Sequence, residues 1–523
     1  MGKPGRSGPR MHFSRQHGAF PIFYRLMPRQ SLLSLLLSVA ALGSALAEDL
    51  PVSLPGVLRL THEAAVQMAL SRNFSIQVSS YDPQVAQQRL RSALGRFDPE
   101  FIAGAEHTEN SRRDFFVNNG FDLAQTTLVK NEQWNVGFGG LTPWGLRYDL
   151  GMANRTTTSS TSQIRDQSIT DLTLNIIQPL LRGFGPAANL SEVRVARNNI
   201  ADSEWAFRER IIDILTTTDF VYNDLHAAKE ALKAAERSLA LAEQLVTDNE
   251  ARVKIGVKSP LDVTEARATA AARVETVIIT RQLVNTNTNL LKQLVSNELE
   301  PMLSVRVEIA PPPSPVFFKD VTAGIRQALE LRPDYRRAIL LLQNRQVILA
   351  FRDNDSLPRF DLTGSLGLVG FDRTMAESLS RLTSREQIIW SAGGVVRIPF
   401  PNRIGRGAEE GARLQVAQQL VALKELEQRI VVQVDNTSGE VVTARERVRS
   451  TDAARRLAQE TLDAGQERLN AGVLTTFEVL ELQRRLALAE AAEIRARADY
   501  NKSVTEYYRQ SGTTLLMYNV KVQ

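Results

Sequence analysis

Three long windows of this chain contain no proline: Ala187 to Ser259, Leu261 to Glu300, and Asn402 to Gln523. All three are rich in Ala, Leu, Glu, Gln and Arg, the residues that lose least on entering a helix. Apolar residues recur in them every seven positions: Leu232, Leu239, Val246 and Val253, then Val263, Ala270, Val277, Val284 and Leu291, and later Val434, Val441 and Val448. A sustained seven-residue period is a coiled-coil seam. A helix from Ala187 to Lys254 would be about 100 Å long at ~1.5 Å per residue, far longer than a globular domain is wide. Each seam is interrupted by a glycine that can stop a helix in the left-handed region, Gly256 and Gly472. Lys254 and Arg468 stand before them, at the favourable end of the helix dipole. Ser259 or Thr475–Thr476 can cap the returning helix, and Pro260 is allowed in its first turn. The pattern therefore predicts two long helical hairpins.

The chain also repeats itself. Residues 252–265 read RVKIGVKSPLDVTE and residues 468–481 read RLNAGVLTTFEVLE, so that Arg252, Gly256, Val257 and Glu265 align with Arg468, Gly472, Val473 and Glu481. Asp262-Val263 likewise aligns with Glu478-Val479. Upstream, Ala69-Leu70, Pro99 and Phe101 align with Ala328-Leu329, Pro358 and Phe360, and Gln178-Pro179-Leu180 resembles Ile398-Pro399-Phe400. The expected organisation is a leader at 1–47, a first repeat at 48–298 with its hairpin at 187–298, a proline-rich polyproline connector at 299–316, and a second repeat at 317–523 with its hairpin at 407–510.

Strand patterns precede each hairpin, at about 101–177 and 360–399. Phe360, Leu362, Leu366 and Leu368 alternate with Asp361, Thr363 and Ser365, and Trp390, Ala392, Val396 and Ile398 with Ser391 and Arg397. In the first half, Trp134, Val136 and Phe138, then Tyr148, Leu150 and Met152, then Leu172, Leu174 and Ile176 alternate with polar residues or glycine. Period two with aromatics outside and polar partners inside is the pattern of outer-membrane barrel strands. The polar stretches Asn154–Ser168 and Asp372–Glu386 read as their connecting loops. Four to six strands cannot close a barrel, because known barrels start at about eight. Closure therefore needs more than one copy, related by rotation, and geometry alone leaves two or three in total open.

Residues 1–47 carry six of the 63 basic residues and no acidic one, which leaves 57 basic against 58 acidic in the rest. The basic surplus belongs to the leader, and the remainder gives no basic surface for nucleic acid. Arg25 and Arg29, the apolar run Leu32 to Leu46 and the Ala45-Leu46-Ala47 exit are the parts of a cleavable secretory signal, with Met11 and Met27 as alternative starts. Beyond it no stretch reaches 18 uninterrupted apolar residues, so membrane entry is expected through strands. The chain has no cysteine, which excludes disulfides, thiolate metal sites and a thiol nucleophile. His62, His107 and His226 lie in separate elements without metal-ligand spacing, and the glycines at 137–140 sit in a strand pattern rather than a phosphate loop. Neither an enzyme nor a cofactor or metal site is expected.

The paired repeats, the two strand-to-helix junctions and the order of elements resemble the TolC-like outer-membrane efflux family over nearly all of residues 58–515. The resemblance implies an α+β membrane protein: a homotrimer in which each subunit gives four strands to one barrel in outer-membrane lipid and two helical hairpins to a periplasmic tunnel. It implies a passive exit duct of a tripartite efflux or type I secretion system, whose tip meets a periplasmic adaptor (membrane fusion) protein and an inner-membrane pump. It places acidic residues after the second turn in the pore, here Glu478 and Glu481, and an aspartate after the first turn at the closed tip, here Asp262, followed by Glu265. The usual tyrosine and arginine partners of that aspartate are replaced by Leu469 and Leu474, and Lys258 is the cation at hand. The turns Arg252, Gly256, Val257, Arg468, Gly472 and Val473 would contact the adaptor. The first half departs from the family by carrying four strand patterns where two are implied, so those around Trp134 and Tyr148 read as an extra hairpin, inside or outside the barrel. The rival class is a periplasmic structural coiled coil or adaptor, for which a single hairpin between β-rich flanks is expected.

Overall fold

The computed structural model describes residues 56–520, apart from 119–120, 161, 163–164, 314, 316, 318–319 and 386. The expected signal and start sites lie outside the described residues. Strand β1 (Val57–Leu60) leads into helices α1 (His62–Arg72), α2 (Phe74–Ser79) and α3 (Tyr81–Leu94). Four strands follow, β2 (Glu100–Asn118), β3 (Phe121–Leu141), β4 (Arg147–Ser159) and β5 (Asp166–Pro179). A short α4 (Pro186–Asn189) then opens the first hairpin, α5 (Ser191–Lys254) and α6 (Pro260–Val295). Next come α7 (Leu299–Leu303), β6 (Arg306–Ile309), α8 (Val321–Leu331), α9 (Pro333–Asp355), β7 (Arg359–Asp372), α10 (Met375–Ser384) and β8 (Ile388–Arg397). The second hairpin is α11 (Arg403–Asn470) and α12 (Thr476–Gln510), followed by α13 (Thr514–Met517).

The long helices have 64 and 68 residues in α5 and α11, on the order of 100 Å each. On α11, Val434 and Val441 are fully buried as the period requires. On α5 the most buried row is instead Ala228, Ala235, Ala242 and Asn249, while Leu232 and Leu239 are half-buried. Among the described residues, no helix is long and apolar enough to cross a membrane.

All strands except β1 and β6 form one antiparallel sheet in the order β2-β3-β4-β5-β7-β8. The expected extra hairpin around Trp134 and Tyr148 is β3 and β4, hydrogen-bonded between β2 and β5, so the sheet has six strands where the family resemblance implied four. One face carries an apolar row across every strand: Phe101, Phe138, Leu150, Leu174, Leu366 and Trp390. The next row on the other face is polar, with Asp149, Asn175, Ser365 and Ser391. Two expected loops are ordered differently. Of the expected loop at 154–168, residues 154–159 belong to β4 and 166–168 to β5, and the Asn154 amide donates to Ser168 Oγ (2.9 Å) and Thr170 Oγ1 (2.8 Å) across the pair. The stretch Asp372–Glu386 contains α10, capped by Thr374 and held on the sheet by buried Ser378 and Leu382.

The expected polyproline connector is also more structured. Pro301 sits in the first turn of α7, where a missing N–H costs nothing. Strand β6 pairs in parallel with β1 along its whole length. Tyr222 of α5 clamps this pair, donating to Ala310 O (2.7 Å) and lying 3.2 Å from Leu60 O. Leu60, Ala69, Leu215, Tyr222, Leu225 and Leu291 form the core beneath it. A second core joins Ala328 of α8 to Ile430, Val434, Val441 and Val504 of the second hairpin.

Candidate functional site: the tip of the paired hairpins

Both hairpins reverse in the same way. Gly256 and Gly472 each have φ of 76°. Gly256 N–H donates to Val253 O and Val257 N–H to Arg252 O, both at 3.0 Å, while Gly472 and Val473 donate to Leu469 O (3.1 Å) and Arg468 O (3.0 Å). These are the paired bonds of a Schellman motif, which satisfies the last carbonyls of the outgoing helix. The returning helices start with matching capping boxes. The Ser259 N–H donates to Asp262 Oδ2 (3.1 Å), and the Thr475 N–H and hydroxyl donate to Glu478 Oε2 (2.8 and 2.7 Å). Each box contributes about 1 kcal/mol to its helix start.

The two turns meet. Arg252 donates to Asn470 Oδ1 (2.9 Å) and reaches Leu469 O (3.5 Å) across the hairpins. Lys258 donates to Thr476 Oγ1 (3.1 Å), and its Nζ lies 3.8 Å from Asp262 Oδ1. Asn249 reaches Asp262 O at 3.4 Å and accepts from Thr476 at 3.5 Å. Asn249, Lys258, Asp262 and Thr476 therefore form one polar cluster, and Arg252 makes a separate link between the turns. Glu265 is half-buried on α6 and makes no ion pair or side-chain hydrogen bond among the described residues. A small core of Leu245, Leu462, Leu469, Val479, Leu480 and Leu486 lies behind the tip. Its outer surface is apolar, with Ile255, Val257, Leu261, Val473 and Phe477 each more than three-fifths exposed.

Glu478 and Glu481 line a different place, an open groove between α11 and α12 of about 590 Å³ that also includes Arg468, Phe477 and Arg485. Glu478 is held below the usual carboxylate range by the Thr475 backbone N–H, then by its hydroxyl. Glu481 accepts from Arg484 at 2.7 Å on both oxygens and from Arg485 at 3.0 Å. These bonds bring its carboxyl down to about 2. These two arginine partners are not among the expected site residues, although their spacing of three and four residues from Glu481 is the signal that marks them. Because the folded value is depressed, the charge and its pairing hold above the ordinary carboxylate range and are lost only as pH falls through about 2. Any effect of Glu481→Gln on ion flow is therefore expected to persist at about pH 3.5, where an unpaired glutamate has already lost most of its charge. Bilayer recordings of the two proteins across pH 3–7 read this directly.

Among the described residues, no group of three or more His, Asp or Glu side chains converges to hold a metal.

Residues 145–295 and 324–513, more than half of the chain, match the family model described as outer membrane efflux protein. No curated protein matches the sequence. Among solved structures, the fold is similar to the Campylobacter jejuni CmeC outer membrane channel, with TM-score 0.64 and 15% identity over 87% of this chain and 86% of that one. It is also similar to the outer membrane protein VceC from Vibrio cholerae, with TM-score 0.63 and 16% identity over 86% and 96%. The open state of the Neisseria gonorrhoeae MtrE outer membrane channel gives TM-score 0.60 and 17% identity over 87% and 89%.

Proposed function

Starting from the chain's membership of the outer membrane efflux protein family, we propose that it is the exit duct of a tripartite efflux or type I secretion system. In this reading it is a passive homotrimeric channel that spans the outer membrane and extends into the periplasm. A periplasmic adaptor and an inner-membrane pump deliver its substrates. The carrying observation is a six-stranded sheet with an apolar face and two open edges, joined to two helical hairpins on the order of 100 Å long. Lipid does not tolerate open strand edges, so such a sheet is complete only within a ring of copies. Exposed apolar stripes on the hairpins, Ile278, Ile279 and Leu283 on α6 and Leu414, Val421 and Val432 on α11, supply faces for lateral packing between copies. An exposed apolar sheet face of this extent does not suit a periplasmic adaptor. Fractionation tests the reading. Heat-sensitive oligomers in the outer membrane, with a mature N-terminus near Glu48, are expected. A detergent-free soluble monomer would sink it.

The tip residues take their roles within this reading. Gly256, Gly472 and the exposed Val257 and Val473 present the adaptor-docking surface, and Arg252 and Arg468 carry the turns. Lys258, Asp262 and Glu265 regulate opening where the hairpins meet. Glu478 and Glu481 form the constriction, whose charge is mixed because Arg484 and Arg485 accompany Glu481. Glu478→Gln with Glu481→Gln should weaken cation preference severalfold while keeping the fold, since glutamine serves a capping box as glutamate does. Arg484→Gln with Arg485→Gln should raise it. Reversal potentials under a salt gradient that do not move with either pair would place the constriction elsewhere.

A further inference from the structure

The sheet leaves two strands unpaired on one side, β2 and β8. They run in opposite directions: β2 climbs away from the helical end after α3, and β8 returns to it before α11. Both are solvent-exposed along nearly all of their described side chains, with Phe101 60% and Trp390 72% exposed. An edge of each polarity is what antiparallel closure onto further copies requires, and P-type breakers are absent from both strands.

The register across this seam can be read from the sheet. The ladder row through Glu100, the base of β2, runs through Gly139, Asp149, Asn175 and Ser365 to Ser391. The base of β8 is Arg397, six residues further toward the helices. Bringing the bases of all copies level therefore needs a stagger of six residues per copy, or one per strand. That ratio is the one found in eight-stranded barrels of shear 8, where strands tilt by about 36°, and it lies within the usual range for barrels. Six is even, so the apolar face stays outside across the seam. The same stagger sets Arg397 opposite Glu100, Val396 opposite Phe101, and Ala392 opposite Ala105. Neither Glu100 nor Arg397 has an ion-pair partner among the described residues, so the seam supplies each with its opposite charge.

We propose that every copy contributes all six strands, with β8 of one copy paired to β2 of the next in this register, so that three copies close an eighteen-stranded barrel. The proposal rests on the shared-barrel reading above. It differs in making all six strands of each copy, the extra β3–β4 hairpin included, part of the wall, which yields a wider pore; barrels of 16–18 strands enclose an aqueous channel.

The absence of native cysteine makes disulfide cross-linking clean. Opposed residues of an antiparallel pair have Cα atoms about 4.5–5.5 Å apart, within disulfide reach. Ala105→Cys with Ala392→Cys in the full chain should give, on oxidation in outer membranes, covalent species of up to three chains that reductant dissolves. Ala392→Cys with Met152→Cys should stay single-chain, because Met152 lies inside the sheet between β3 and β5. If β2 and β3 instead swing out and β4 forms the seam, the level-base register puts Met152 opposite Ala392 and the two results exchange. That exchange would overturn the proposal and leave the duct reading standing. Trimers in mild detergent with neither pair cross-linked would also overturn it, and monomers with neither would remove the duct reading as well. Independently, Glu100→Arg should lower the temperature at which the oligomer dissociates, and adding Arg397→Glu should restore it. Failure of that rescue would count against the register.

Discussion

Replacing Gly256 and Gly472 together by valine is expected to abolish transport while leaving the protein in the outer membrane at normal abundance. Both glycines hold φ of 76°, and an added Cβ at either would meet nothing within 4 Å. The penalty is therefore one of backbone conformation, roughly 1–2 kcal/mol at each turn and more for a β-branched residue. The chain can escape it by moving the reversal, which breaks the Val257 and Val473 N–H bonds and displaces the apolar tip. The Arg252–Asn470 contact between the turns would go with them. The strands are remote from these turns in the fold, so insertion should not change. Asparagine tolerates the left-handed region, and Gly256→Asn with Gly472→Asn should recover much of the activity. Cellular retention of a pumped dye, beside heat-sensitive oligomer on gels, checks both halves of the expectation. Full transport by the valine double variant would show that the tip geometry is dispensable.

Asp219→Ala should produce the largest loss of stability, about 3–5 kcal/mol, because it strips a buried carboxylate from three partners at once. His62 Nε2 lies 2.6 Å from Asp219 Oδ1, the Thr505 hydroxyl donates to Oδ2 at 2.5 Å, and Asn223 Nδ2 lies 3.3 Å from Oδ2. Asp219 is 4% exposed, so water cannot replace it. The three partners come from α1, α12 and α5 itself, which makes this carboxylate the tie between the two ends of the chain and the first hairpin. Asp219→Asn keeps one acceptor oxygen and should lose distinctly less. Urea titration followed by helical circular dichroism measures the difference. Equal midpoints for wild type and Asp219→Ala would show that the ends are held by apolar packing alone.

Much of the tip was legible because its determinants are local. A Schellman turn and a capping box each need only five or six consecutive residues, and both occur where the two RVKIGVKSPLDVTE-like segments stand. What those segments could not reveal was how each carboxylate is spent. An acidic residue at the third helical position reads equally as a pore charge or as a cap. The contacts show Asp262 and Glu478 capping, with Glu481 bound by two arginines. The strand patterns were likewise visible one by one, including the extra pair in the first half, but alternation marks which face of a strand is apolar and says nothing about its neighbour.

Residue spacing alone dictates the periodic elements: where helices run, where glycine reverses them, and which side of each strand is apolar. These follow from backbone sterics and side-chain spacing within a few residues. The pairings between distant segments follow from long-range packing instead. Strand β1 lies against β6, some 250 residues away in the chain, and the polar residues 154–159 and 166–168 became strand where Asn154 found Ser168 and Thr170. On α5 the row Ala228, Ala235, Ala242 and Asn249 is buried and Leu232 and Leu239 are half-buried, a choice that the seven-residue period does not make. Hydrophobic period specifies that a surface must be covered, whereas the identity of the cover depends on packing volume and hydrogen-bond partners brought from elsewhere in the chain.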